Sequence, residues 1–201
     1  MRSAFFLVIL AAAAVGSGGN GSETPAPATT SSSTRGATAG STAAVPASKE
    51  WVEFNGQRLV FAFEGKNPVE ILREYIPTGE KLDSWTQFAA IHEYPAQIDP
   101  MVFARTMADA LKKKNPAFQS AIHQNDKTGE VMIDFVMWPA DTSFIEFNVF
   151  RLQKKEGGGI VAQQYAVRAY EKQMDFMKGL AALRAKLLPL MGTNGLTIHG
   201  G

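Results

Sequence analysis

In EVMIDFVMWPADTSFIEFNVFRLQKKEGGGIVAQQYAVRAY, residues 130–170, three apolar runs follow one another with little but turn-forming residues between them. Pro139 to Ser143 joins the run Val131 to Trp138 to the run Phe144 to Leu152, and Lys154-Lys155-Glu156-Gly157-Gly158-Gly159 leads on to Ile160 to Tyr170. Runs rich in β-branched and aromatic residues read as strands, and connections this short demand antiparallel neighbours. Val131, Met132, Ile133, Phe135, Val136 and Met137 place apolar groups on both faces of the first strand, as Phe144, Phe147, Val149 and Phe150 do in the second. Strands of that kind belong in a sheet covered on both sides.

Upstream, Phe118 to Gln124 reads as a further strand, turned back at Asp126-Lys127-Thr128-Gly129. Asp99-Pro100 opens a helix, because Asp accepts bonds from the free first-turn amides and Pro at the first helical position sacrifices no hydrogen bond. Phe103, Met107, Ala110 and Leu111 follow at helical spacing, Lys112 to Lys114 sit at the negative end of the helix dipole, and Asn115-Pro116 stops it. Earlier still, Leu59, Phe61 and Phe63 alternate with Arg58, Val60 and Ala62. Lys66-Asn67-Pro68 breaks that strand, Val69 to Ile76 makes another, and Trp85 to Tyr94 a third after the turn at Pro77-Thr78-Gly79. Downstream, Met174, Met177, Leu180, Ala181, Leu183, Leu187 and Leu188 predict an amphipathic helix ending at Pro189. The order β-β-β-α-β-β-β-β-α predicts an α+β fold, an antiparallel sheet of about six or seven strands flanked by two helices.

The remainder of the chain is of a different kind. Met1-Arg2 and the apolar run Ala4 to Val15 have the form of a secretory signal, with Ala14-Val15-Gly16 as a small-x-small site after which cleavage is expected. The run is too short to serve as a permanent span, so the mature chain is expected to carry no transmembrane segment. Residues 17–48 are nearly all Gly, Ser, Thr, Ala and Pro and predict a disordered linker. Residues 1–16 are thus expected as signal, 17–48 as linker, 49–191 as a single α+β domain and 192–201 as a flexible tail. The chain has no cysteine for disulfides or for lipid attachment, and export without disulfides points to the bacterial periplasm or exterior. Its 20 basic and 19 acidic residues leave a formal charge of +1, which gives no field to hold nucleic acid.

From Glu130 to Leu188 the two strands, the Gly-tipped hairpin and the closing helix resemble the PsbP-like fold, an α/β/α sandwich seen in the extrinsic photosystem subunit and in small exported or regulatory proteins. Gly79 to Thr86 is similar to a turn-into-strand segment of small uncharacterised bacterial exported proteins. Members of such a fold are mostly binding or assembly factors, so the resemblance implies partner binding and transfers no site by position.

Residues able to carry chemistry are few. No two of His92, His123 and His199 have metalloprotease spacing, which leaves His92 with Glu93 and His123 as weak metal candidates that must converge across the sheet. Ser84, Ser120 and Ser143 lack a Gly-x-Ser-x-Gly setting, and Ser84 beside Asp83 and Ser143 near Asp141 read as turn formers. Glu70 with Glu74, or Asp134 with Glu146, are candidate carboxylate pairs, and Asp134 between Ile133 and Phe135 invites burial. Trp85, Tyr94, Trp138 and Tyr165 are the candidates to line a ligand cleft between sheet and helix. No cofactor is implied. The leading expectation is an exported, non-enzymatic binding or assembly module with a protein or small hydrophobic ligand as partner. A carrier of a hydrophobic ligand and a hydrolase with an unrecognised site are the alternatives.

Overall fold

The computed structural model describes residues 49–115 and 118–200; the expected signal and linker at 1–48 lie outside the described residues. The elements run β1 (Trp51–Phe54), β2 (Gln57–Lys66), β3 (Ile71–Ile76), β4 (Gln87–Tyr94), α1 (Pro100–Lys114), β5 (Ser120–Gln124), β6 (Val131–Met137), β7 (Ile145–Lys154), β8 (Ile160–Ala169), α2 (Gln173–Thr193) and β9 (Thr197–His199). All nine strands form one sheet in the order β5-β6-β7-β8-β4-β3-β2-β1-β9, with every pair antiparallel. No helix among the described residues is long and apolar enough to cross a membrane.

The α+β class stands, and the nine strands exceed the seven of the expected order by two short elements, β1 and β9, at one side of the sheet. β1 and β2 close through Asn55-Gly56, both at positive φ (53° and 71°), the conformation a two-residue hairpin turn demands. β9 replaces the flexible tail expected at 192–201: it pairs Ile198 with Val52, and His199 stacks on Trp51 at 3.8 Å between ring centroids. Leu196, just ahead of it, is buried with Met191. Pro189 does not end α2, which continues to Thr193. Pro189 and Ala185 are both exposed, so the carbonyl that Pro189 cannot serve belongs to the solvent side of the helix.

Side-chain alternation assigns the helices to opposite faces. On the front, Phe103, Ala104, Met107 and Leu111 of α1 pack on Val131, Ile133, Phe135, Phe150 and Leu152. Asp99 caps α1 as expected, its Oδ1 accepting from the amides of Met101 at 2.8 Å and Val102 at 2.9 Å. On the back, Leu187 and Met191 of α2 pack with Phe147, Val149 and Tyr165. The loop before β4 covers the rest of the front face, where Trp85 and Leu82 sit on Ile76, Phe88, Ala90 and Ala166.

The sheet is curled. Three strands separate β8 from β1, about 19 Å in a flat sheet. The rings of Phe54 and Tyr165 nevertheless lie 4.6 Å apart, and the amide of Leu196 donates to Gln163 Oε1 on β8 at 2.9 Å. A register shift between Phe61 and Phe63 in β2 supplies the bend, as β-bulges do. The back face is therefore concave and wraps the C-terminal half of α2. Replacing Phe54 by Ala is expected to lower unfolding free energy by about 3 kcal/mol, because the hole opens where the curl closes. Urea denaturation of the variant checks this, and a loss no larger than an exposed truncation gives would refute the closure.

Candidate functional site: a sealed polar row and an open trough

Six polar side chains cross the front face of β7, β8, β4 and the start of β3, and none is more than 7% exposed. Arg168 donates to Glu146 Oε2 through Nε at 3.0 Å and Nη2 at 2.7 Å. Asn148 Nδ2 donates to Glu146 Oε1 at 2.8 Å, and Gln164 Nε2 donates to Asn148 Oδ1 at 2.8 Å. His92 Nε2 lies 3.0 Å from Gln164 Oε1, while Nδ1 lies 2.8 Å from Glu70 Oε1. The direction of the row follows from its first member. Glu146, paired with a guanidinium, accepts only; Asn148 must then present its amide nitrogen, Gln164 must do the same to Asn148, and His92 Nε2 must carry a proton to meet Gln164 Oε1. One further proton lies between Nδ1 and Glu70.

Both ends of the row are closed. The Arg168 guanidinium carbon sits 3.7 Å from the Trp85 ring centre and 4.0 Å from that of Phe144, a cation–π stack that replaces water over the charge. At the other end Tyr94 donates to Glu70, and burial together with that carboxylate holds its hydroxyl well above the usual tyrosine range. Burial also raises the Glu146 carboxyl, with Arg168 and Asn148 pulling it back down. A row sealed this way fixes strand register, because a one-residue slip would leave every member unpaired in the interior.

The cleft candidates do not meet. Trp85 covers Arg168, Tyr94 packs under α1, Tyr165 lies on the back face with its hydroxyl donating to Gln87 at 2.6 Å, and Trp138 is partly exposed beyond the end of β6. His92 and His123 do not converge: β4 and β5 are four steps apart, about 19 Å, and the two side chains belong to opposite faces. Among the described residues no three His, Asp or Glu side chains gather to hold a metal. Asp134 and Glu146 also fall on opposite faces, whereas Glu70 and Glu74 share the front face with Glu70 bound to His92. Ser84 Oγ donates to Asp83 at 3.0 Å and the Ser143 amide to Asp141 at 3.0 Å, the turn roles expected of them.

The open site is on the back, between β5 and α2. A trough of about 390 Å³ is lined by His123, Ala181, Arg184, Ala185, Leu188 and Pro189. Asp134 lies beneath it, 3% exposed, with Arg184 Nη2 donating to Oδ1 at 3.1 Å and Nε at ion-pair distance from Oδ2 (2.8 Å) but out of hydrogen-bond alignment. His123 Nε2 approaches the same carboxylate to 3.8 Å. α2 carries more apolar surface than the sheet covers. Phe176, Leu180, Leu183, Leu187 and Met191 recur at helical spacing toward the sheet. Met174, Met177, Ala181 and Ala185 form a second stripe beside it, which joins the first at Leu188, itself packed against the core, with Met174 72% exposed. The sequence held this signal, since residues 174, 177, 181 and 188 cannot share one narrow face with 180, 183 and 187. A smaller depression of about 280 Å³ lies between the β1–β2 turn and the end of α2, lined by Glu53, Asn55, Gly56, Leu190, Asn194 and Thr197 among others.

Two outcomes test these environments. Gln164→Leu strands the His92 Nε2 proton and Asn148 Oδ1 in the interior and is expected to cost about 2–4 kcal/mol in urea denaturation, with retention of full stability as the refuting result. Burial raises Asp134 above its ordinary 3.8, with Arg184 and His123 pulling it back. A raised folded-state value means that this group favours folding below the ordinary value and loses that contribution as pH rises through the raised one. The stability of Asp134→Asn relative to the parent should therefore increase as pH climbs from about 3.8 and then level off. Denaturation midpoints across that range read it, and a pH-independent difference would count against the buried carboxylate.

Neither any curated protein nor any solved structure gives a significant match to the chain. One protein-family model matches residues 44–195, a span that takes in every element from β1 through α2, and the chain belongs to that family.

Proposed function

We propose that this is an exported domain that binds another protein through the outward stripe of α2. The observation that carries the reading is the breadth of the apolar arc on α2: the sheet buries one stripe, and Met174, Met177, Ala181 and Ala185 make a second, of which Ala181 and Ala185 border the depression beside β5. An apolar helix face left beside an open trough is what helix-in-groove recognition uses, and methionines suit a surface that must adapt to its partner. The placement of one helix on each side of the sheet supports the likeness to PsbP-like sandwiches, which implies partner binding. Export rests on the charged, apolar and small-residue pattern of residues 1–16.

A photo-cross-linking amino acid at Met177 tests this in the cells that make the protein. Lys186, nine residues on, points to the opposite side of α2 and is the control position. The expected result is a discrete protein adduct from position 177 that position 186 does not give. Equal labelling from both positions, or none from either, would overturn the assignment.

A further inference from the structure

Resting on that reading, we propose that the trough between β5 and α2 takes a helical segment of another protein that carries a large apolar side chain with an Asp or Glu three or four positions away. Shape supplies the first half. Ala181 and Ala185 present only methyl groups, with Leu188 and Pro189 at one end and His123 opposite on β5, so a large apolar group from a partner fits over them in the shallow depression. Charge supplies the second. The ionisable groups lining the opening are Arg184 and His123, with side chains 38% and 52% exposed, while the carboxylate that holds Arg184 is sealed below them. The contacts of Arg184 to Asp134 run through Nη2 and Nε, and guanidinium has five N–H donors. An incoming carboxylate finds cationic edges there; an incoming ammonium finds none to answer it.

Other occupants fit less well. The outward stripe from Met174 to Pro189 is about 23 Å long and one helix wide, a footprint of roughly 200–300 Å², against about 800 Å² per partner for a stable dimer. An antiparallel pair of α2 helices centred on Ala181 would also set Lys178 of one copy against Arg184 of the other, since these lie three residues to either side. The chain's own residues 17–48 offer Glu23 as their one acid and nothing apolar larger than Val45 and the prolines. A membrane interface takes large apolar side chains over a broad face, and here the centre of the stripe holds only the methyl groups of Ala181 and Ala185.

Selection of a displayed library of helix-forming peptides, about 16 residues long, against the full chain tests the proposal. Enriched peptides are expected to share an apolar residue with Asp or Glu at i+3 or i+4. Their affinity should fall at least about tenfold on Ala185→Glu and on Ala181→Met, and weaken as salt rises from about 50 to about 500 mM. Both substitutions lie on an exposed helix face, and the unfolding midpoint of each verifies that the fold is kept. Enriched peptides without acids, peptides that bind the Ala185→Glu protein unchanged, no enrichment at all, binding to anionic vesicles that Ala185→Glu removes, or a dimer dissolved by Ala185→Glu would each overturn it. Acid-free peptides lost on Met177→Glu would leave the α2 face as the binding surface and remove only its acidic specificity.

Discussion

The buried pair between Glu146 and Arg168 is the constraint from which the centre of the sheet follows. Two charges removed from water must be answered completely, and here the guanidinium is answered by one carboxylate oxygen, by the Tyr170 hydroxyl, which accepts from Nη1 at 3.2 Å, and by two aromatic faces. The second carboxylate oxygen is left to orient Asn148, and through it Gln164 and His92. A chain of amides in the interior has a single satisfied direction, so one ion pair at the β7–β8 end determines where a proton sits on β4. Apolar packing holds the strands together on both faces of this row, but Val, Ile and Phe tolerate slippage better than a polar partner does. The row therefore contributes specificity where the apolar clusters contribute most of the free energy.

Curvature is the second organising fact. A flat sheet of nine strands would present a back face too broad for one helix to cover. The bulge in β2 brings Phe54 over Tyr165, so the far edge of the sheet replaces a missing second layer. α2 then needs to fill only the remaining gap, which Leu187 and Met191 do. The same curl explains why three residues near the C-terminus can form a strand. Ile198 and His199 meet an edge already folded back toward the core, and Leu196 drops into the cluster that α2 begins.

Much of the architecture was legible in the residues themselves. The cap at Asp99-Pro100, the three-strand meander from Val131 to Ala169 and the presence of two helices all follow from local chemistry that the fold does not override. β1 is absent from the expected order although Asn55-Gly56 is a strong hairpin signal, because its four residues give alternation too little length to show. β9 has too few residues for any period to show. The polar row was out of reach for another reason: Glu146, Asn148 and Gln164 are ordinary residues in sequence, and their meaning arises from a diagonal across strands whose register was not yet known. Asp134 was singled out by its apolar neighbours and is indeed buried, yet its partner Arg184 lies fifty positions away on a helix. Trp85, Tyr94, Trp138 and Tyr165 share only their size, and size alone does not place side chains together.

α2 is fastened unevenly. Its deeply buried anchors, Leu187 and Met191, sit in the last two turns, while the first half rests on side chains only partly covered. Lys172, in the left-handed region and without a side-chain cap, begins it. Fraying should therefore run from the Gln173 end, with exchange of those amides far faster than of the amides near Met191. Any molecule that gripped the loose end would first have to still it, and the entropy lost in doing so would make its hold weaker than the contact surface alone would suggest and its release correspondingly quick.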